Sequence, residues 1–415
     1  MTPCLIPVDK KGDVIGTCHI WADKRAFNEV EWINRKLGED TIPQLSGNNV
    51  KTGYLAPKIV WFKSNEPELY KNTYKFLQPN GFINMKLTGD FSMDRSNCEL
   101  TLLADKFTGK WDEKICGALG ISLEKLPEVK ECADVIGYVT KLASDETGLP
   151  EGIPVIAGGN DSAVASYAMN VVEPGNASLD IGNAANLGMC ITKPVYCNVG
   201  DLYSHVLPGK WMLQVFSATA GAALRWFKEE LAELETVIAD KLGSSAYEML
   251  DAQASKAMPG SSGVIFVPYL QGAQDAPDAK GCILGISTST KRSDIIRAVL
   301  EGCAFAVRRN MEFIEGTVGQ KMDRIYLGGG GSGSDLWSQI HADVMGKTMV
   351  VPQIRDAAVL GSALLAGLGA GIIPHDIDIE KIVPVERVYE PDHQNKEIYD
   401  IMFEKFCRVF RAGSM

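Results

Sequence analysis

Histidine is scarce in this chain, with five among 415 residues, and none of its ten cysteines stands in a C-x-x-C pair. Zinc frameworks need Cys and His at fixed short spacings, and secreted disulfide scaffolds are short and cysteine-dense, so neither class fits. The cysteines at 4, 18, 98, 116, 132, 190, 197, 282, 303 and 407 read instead as thiols of a reducing compartment. Basic charge is also in deficit: 41 Lys and Arg against 52 Asp and Glu give a formal net charge of −11. Nucleic-acid binders usually carry a basic face, so nucleic acid is not an expected partner. No apolar stretch reaches membrane-spanning length, and the N-terminus has no charged-then-apolar signal pattern, so a membrane is not expected either and a cytoplasmic location is the default. Repeats, low-complexity tracts and coiled-coil seams are missing too.

With 46% hydrophobic residues, the chain can form two or three domains. Up to about residue 150 it mixes short elements: a strand over 14–21, a helix over 28–37, and helices over 57–63 and 66–77. After a break at 148–152 the pattern becomes strand, turn and helix. An apolar run at 153–157 precedes a helix over 162–169, and 177–191 reads as a β-hairpin. A helix over 219–234, a strand over 264–268 and a helix over 294–315 stopping at Gly316 follow. This alternation argues an α/β fold with a partly parallel sheet.

Two glycine-containing turns stand out. Asp323 to Leu327 runs into Gly328-Gly329-Gly330-Gly331-Ser332-Gly333-Ser334 and then Asp335-Leu336-Trp337. Glycine and serine tracts are usually linkers, but Ile325 and Leu327 alternate as in a strand while Leu336, Ile340, Val344 and Met345 recur at helical spacing. Strand, bare turn and helix is a geometry that brings backbone close to a nucleotide. The second turn, Gly158-Gly159-Asn160-Asp161, places a carboxylate where a strand ends and a helix begins. Capping of that helix is the better reading on position alone. Carboxyl ends of strands also face ligand clefts in open α/β sheets, where a base would have to sit to take a hydroxyl proton.

Together these segments resemble the FGGY family of carbohydrate kinases, xylulose kinases being the nearest subgroup. The most specific match is Gly281-Cys282-Ile283-Leu284-Gly285-Ile286 followed by Asp294-Ile295-Ile296-Arg297-Ala298-Val299-Leu300-Glu301, which fits the family's C-terminal signature. Tyr326 to Gly330 with Trp337 resembles the adenine-binding turn and helix, and residues 356–366 the helix after it. Upstream, Leu45-Ser46-Gly47 with residues 56–61 is similar to the first signature, and residues 20–25 resemble the sugar-site segment.

The resemblance implies an actin/hexokinase-type (ribonuclease H-like) ATPase fold, with a sugar-binding domain over 1–170 and a nucleotide-binding domain over 171–415. It implies ATP with Mg2+, and a sugar such as a pentulose. Asp161 matches the catalytic base. Trp21, Asp23, Arg25 and Ser162 fall on the sugar side, Ser162 standing where Gln or Asn is usual. Gly329, Gly330 and Ser332 match the adenine and ribose turn, and Gly182 with Asn183 the second phosphate loop. Without the resemblance, Trp21 reads as core and Asp23 with Arg25 as a surface ion pair. Oligomeric state stays open, a homodimer being common among relatives.

Three departures qualify this reading. The family opens on a strand-turn-strand carrying Asp-x-Gly-Thr, whereas residues 1–9 already resemble the segment after it, so the first domain is expected to be N-terminally incomplete. The second phosphate loop, Gly-Thr-Ser in the family, reads Gly182-Asn183-Ala184. Losing one hydroxyl bonded to a charged phosphate costs about 1.5 to 3 kcal/mol, roughly ten- to a hundredfold in rate. The Gly-Glu-Arg-x-Pro turn becomes Gly272 to Pro277 without its Glu-Arg pair. On these grounds either the natural polypeptide is longer or the chain is not a competent kinase, the rival class being a non-catalytic relative that binds nucleotide or sugar as a sensor or partner subunit.

Overall fold

A computed structural model describes residues 3–272, 278–374 and 376–413. The chain divides into two compact units, one of Met1–Pro174, Cys190–Leu213 and Ile354–Ile382, the other of Gly175–Met189, Gln214–Gln353 and Val383–Met415.

The first unit is helical, with small two-stranded sheets. Ile6–Val8 pairs antiparallel with Lys75–Leu77, and Cys4, Ile6, Val8, Leu77 and Met85 form a buried cluster there. Ser92–Asp94 runs parallel to Glu128–Lys130, and Val135–Tyr138 antiparallel to Pro154–Ile156. The helix Leu55–Asn65 is buried on nearly every side, Lys58 included. Two expectations fail in this unit. Residues 14–21 form no strand; their backbone pairs in isolated bridges, Val8 to Val14 and Leu5 to His19. Residues 66–77 are not one helix: Pro67, set at the first turn where a missing N–H costs nothing, starts the helix Pro67–Asn72, and the chain then extends into Lys75–Leu77.

In the same unit the helix Ala357–Gly369 lies against the helix Asp161–Ala168. A Cβ at Gly361 would stand 1.9 Å from the Val164 carbonyl oxygen, so only glycine permits this approach.

The second unit is built on a mixed sheet. Ala177–Ile181, Arg324–Gly328 and Thr348–Pro352 are parallel neighbours. Ala185–Ile191 forms the expected hairpin with Ala177–Ile181, and Val385–Tyr389 closes the other side antiparallel to Thr348–Pro352. The expected single helix over 219–234 is two, Gly221–Leu231 and Glu233–Leu242. The long helix Arg292–Val318 does not stop at Gly316; it ends at Gly319, whose φ of 73° suits glycine. Within it, a Cβ at Gly302 would sit 2.1 Å from the Phe266 carbonyl oxygen, which explains how closely it packs on the strand Ile265–Val267.

The alternation of strand and helix is therefore that of an α/β fold. Among the described residues no helix is long and apolar enough to cross a membrane.

Candidate functional site

In the first unit, the strand Pro154–Ile156 leads through Ala157 to Asn160 into the helix Asp161–Ala168. The cap of that helix is Asn160, whose Oδ1 accepts the Ser162 amide at 2.8 Å, and Asp161 is the exposed first helical residue. The capping reading of Asp161 thus gives way to its neighbour, although the Asp161 Oδ1 also accepts the Ser162 amide, at 2.9 Å.

The turn is held from below by a buried polar network. Ser96 Oγ accepts the Asn160 amide at 2.7 Å and donates to Asp94 Oδ1 at 2.6 Å. Asp94 further accepts Asn80 Nδ2, the Asn97 amide and Asn97 Nδ2. Burial raises the Asp94 carboxyl above its usual range, and these four donors pull it back. Buried Tyr203 lies beside Asp161 and Ser162; burial first, and then the Asp161 and Asp201 carboxylates, push its phenol up, against a hydrogen bond with Ser162.

Trp21, Asp23 and Arg25 come together on one segment. Trp21 is 56% exposed, not core. Asp23 and Arg25 are paired at 2.8 Å, as the plain surface reading has it, but the pair is also anchored: the Arg25 guanidinium lies 4.9 Å from the Trp61 ring centroid and 3.4 Å from His19 Nε2. His19 is fully buried, and burial, then the Arg25 charge, lowers its pKa to about 4, so its Nε2 lone pair accepts from Arg25. Behind Trp21 the Lys51–Tyr54 loop approaches closely, and Lys51 and Tyr54 both donate to Asp201, in the strand that carries Tyr203.

The second unit holds a cleft of about 540 Å³ lined by Gly182, Asn183, Gly330, Gly331, Gly333, Ser334 and Trp337 from the two turns, and by Arg225, Tyr247, Glu248 and Asp251. The glycine run is no linker. The strand Arg324–Gly328 ends, a single 3₁₀ turn covers Gly330–Gly333, and the helix Asp335–Met345 begins under a Ser334 cap whose Oγ accepts the Trp337 amide at 3.0 Å. Gly329 has φ 75°, and a Cβ there would lie 2.3 Å from Asp180 Oδ1; a Cβ at Gly331 would lie 2.5 Å from the Ile181 side chain. Those two glycines seat the turn on the strand end, while Gly330 and Gly333 have nothing within 4 Å and leave bare backbone facing the cleft. Trp337 Nε1 donates to the Leu300 carbonyl at 3.1 Å, fixing the helix. Ser332 folds back onto the Gly329 carbonyl at 2.8 Å.

Gly182 and Asn183 sit on the start of the helix Gly221–Leu231. The Gly182 carbonyl accepts the Gly221 amide at 3.0 Å, and the Asn183 carbonyl accepts the Ala220 and Ala222 amides. A Cβ at Gly221 would be 2.3 Å from that Gly182 oxygen. The amides that a helix N-terminus usually offers an anion are thus spent on the turn itself. Arg225, one helical turn on, is the one cation among the described lining residues.

Reading the sequence does not single out Arg225, Glu248, Asp251 or Ser334: the helices Gly221–Leu231 and Ala246–Ala254 carry no motif and reach the glycine turn only through the fold, and Ser334 reads there as one more residue of the run. Burial holds the Asp251 carboxyl above its ordinary range, against a hydrogen bond with Ser334 and with the Asp335 and Glu248 charges adding to the shift. The expected turn from Gly272 to Pro277 lies, past Gly272, outside the described residues.

A glycine turn between parallel strand and helix lines a cleft in one unit, an exposed carboxylate sits at a strand-to-helix turn in the other, and the fold is a two-domain α/β one; its similarity to known kinases makes it a phosphotransferase. The chain belongs to the FGGY family of carbohydrate kinases: residues 3–167 match the family's N-terminal domain and residues 188–370 its C-terminal domain. It is 30% identical over 420 residues to the autoinducer-2 kinase of Enterobacter sp. (strain 638), covering 98% of this chain and 78% of that protein. Against the xylulose kinase of Escherichia coli K12 it is 27% identical over 413 residues, covering 97% and 82%. The crystal structure of xylulose kinase from Rhodospirillum rubrum superposes with a TM-score of 0.90 at 26% identity, over 99% of this chain and 83% of that one. Kinases of this family generally use ATP and Mg2+.

Proposed function

We propose that this protein transfers the γ-phosphate of ATP to a hydroxyl of a small sugar, a pentulose such as xylulose, with Asp161 as the base that takes the hydroxyl proton. The observation that carries the reading is the ordered glycine turn, whose open Gly330 and Gly333 leave backbone free beside a nucleotide-sized cleft. In it, Ser334, Asp251 and Glu248 offer acceptors to ribose hydroxyls and base amino groups, while Arg225 supplies positive charge for phosphate.

Phosphoryl transfer is mostly positioning and charge stabilisation, so the protein's task is to aim one hydroxyl. Asp161 sits at a helix start, exposed, on a turn that Ser96 and Asp94 hold rigid. Trp21, with Arg25 locked by Asp23 and His19, gives the sugar side an apolar face beside a fixed cation.

A second substrate reading, autoinducer-2, is favoured by the 30% identity to the Enterobacter kinase. The non-catalytic reading is favoured by Asn183 and Ala184, which replace the hydroxyls of the phosphate loop. One assay separates them: ADP release from Mg-ATP, measured with xylulose, other pentuloses and autoinducer-2, on the wild type and Asp161→Asn. Release stimulated by one of these compounds and lost in Asp161→Asn is the expected result. ATP binding without any such release would leave the sensor role standing in its place.

A further inference from the structure

The strand Val385–Tyr389 reaches the glycine turn of the second unit. It runs antiparallel to Thr348–Pro352, with Arg387 opposite Val351 and Tyr389 opposite Met349. Two residues apart on a strand, Arg387 and Tyr389 share a face. Both meet Asp335, the first residue of the helix after the turn: Arg387 Nη1 and the Tyr389 hydroxyl each donate to Asp335 Oδ1 at 2.6 Å. The other arm of the same guanidinium, Nη2, donates to the Ser332 carbonyl at 3.2 Å. Arg387 is not among the residues that line the cleft, and it lies beyond residues 188–370, the stretch that matches the family's C-terminal domain.

An exposed ion pair contributes little by itself, so the contact with Ser332 is what gives Arg387 a task. Glycine gives up more conformational freedom on ordering than any other residue, and 3₁₀ hydrogen bonds are poorly aligned, so a turn of this composition does not hold its own shape. Two of its bonds, from the Ser332 amide to the Gly329 carbonyl and from the Ser334 amide to the Gly331 carbonyl, are 3.2 Å long. The front of the turn is seated by Gly329 and Gly331 on Asp180 and Ile181. At its far end the carbonyls have no partner within the turn, and Ser332 takes its donor from Arg387. One planar fork thus ties the end of the turn to the start of the helix, a geometry that the single ammonium of a lysine does not reproduce. Given the nucleotide reading of this cleft, on which the role rests, we propose that Arg387 is a positioning residue for the nucleotide, holding the glycine turn in the form that leaves Gly330 and Gly333 open to the cleft.

Calorimetric titration of the full chain with Mg-ADP, alongside hydrogen exchange over residues 329–335, tests this role. Arg387→Met is expected to weaken Mg-ADP at least about tenfold and to speed exchange in the turn. Its urea midpoint is expected to stay close to that of the wild type, because the ladder to Thr348–Pro352 uses the backbone. Arg387→Lys keeps the charge without the fork and is expected to behave like Arg387→Met. Tyr389→Phe loses a bond to Asp335 but keeps the one to Ser332, so its affinity is expected to lie within about twofold of the wild type. Full affinity in Arg387→Lys would reduce Arg387 to a point charge, and a loss that tracks a lowered urea midpoint would reduce it to support of the fold; either overturns the positioning role. Mg-ADP binding by the wild type that Arg387→Met leaves unchanged overturns that role alone. A wild type that binds no Mg-ADP removes the nucleotide reading of the cleft, and the role of Arg387 with it.

Discussion

Arg297 Nε donates to Glu301 Oε1 at 2.7 Å, one helical turn apart and both buried. Glu301 also accepts the Gly260 amide, the Ser261 hydroxyl and the Tyr399 hydroxyl, while Arg297 donates to Tyr399 and to the Ala257 carbonyl. The stretch that marks the family most specifically is therefore a structural clasp, tying residues 257–261 and the helix Lys396–Gly413, which carries Tyr399, to the long helix. Removing one partner of a buried pair leaves the other charge uncompensated, at about 3 to 5 kcal/mol. Glu301→Ala is expected to raise hydrogen exchange at the Gly260 amide by at least about a hundredfold and to lower the urea midpoint. Unchanged protection at Gly260 would contradict the clasp.

Why the signature could be recognised but not explained follows from the same residues. Arg297 and Glu301 are visible in sequence as an i, i+4 pair, yet their partners lie about 40 and 100 positions away. The glycine run could be placed between strand and helix because Ile325, Leu327, Ile340 and Val344 carry local periodicity. Its individual roles could not: Gly329 and Gly331 are packed against Asp180 and Ile181, and Gly330 is open, a distinction set by tertiary approach. Likewise 14–21 looked like a strand by composition, but the chain offers it only isolated bridges. Asp161 stands out as a candidate by its turn, whereas Asn160 as the cap and Tyr203 as its neighbour depend on geometry.

Gly361 gives a sharper test of how the Asp161 helix is held. Alanine there would press a methyl into the Val164 carbonyl, 1.9 Å away, so the two helices must separate. Overpacking of this kind costs about 1 to 3 kcal/mol. Gly361→Ala is expected to lower the thermal midpoint and, by moving Asp161, to lower kcat more than it changes ATP affinity. Ser362→Ala, exposed on the same helix, is the control and should do neither.

Restoring the phosphate loop tests the weight of Asn183 and Ala184. The Asn183 carbonyl's bonds to the Ala220 and Ala222 amides, and the Ala184 carbonyl's to the Gly182 amide, do not involve the side chains, so Asn183→Thr with Ala184→Ser keeps the turn and adds two hydroxyls. If the cleft holds ATP as proposed, kcat/KM for Mg-ATP should rise by roughly ten- to a hundredfold per effective hydroxyl. A double variant that folds and binds ATP no better, with no gain in turnover, would place the phosphates elsewhere.

Acid sensitivity follows from the histidines. Burial lowers His19 and His341 to about 4 and His205 to about 3, helped at His19 by Arg25 and at His205 by Lys210. The unfolded value is about 6.5, so between roughly pH 4 and 6.5 the unfolded chain binds more protons than the native one. Their stabilisation is complete above the unfolded pKa and drains away as pH falls towards the folded one. Asp94 and Glu99, raised by burial, act in the opposite direction, so a single-residue difference is the clean readout. His341 Nδ1 lies 2.8 Å from the Trp337 carbonyl and must carry the proton there; His341→Gln keeps a donor but cannot titrate. Between pH 6 and 5, the stability of the wild type is expected to fall faster than that of His341→Gln by about 1 kcal/mol per pH unit, approaching one proton's worth. Urea unfolding at closely spaced pH values measures the difference, and parallel slopes for the two proteins would mean that His341 does not titrate between the folded and unfolded states.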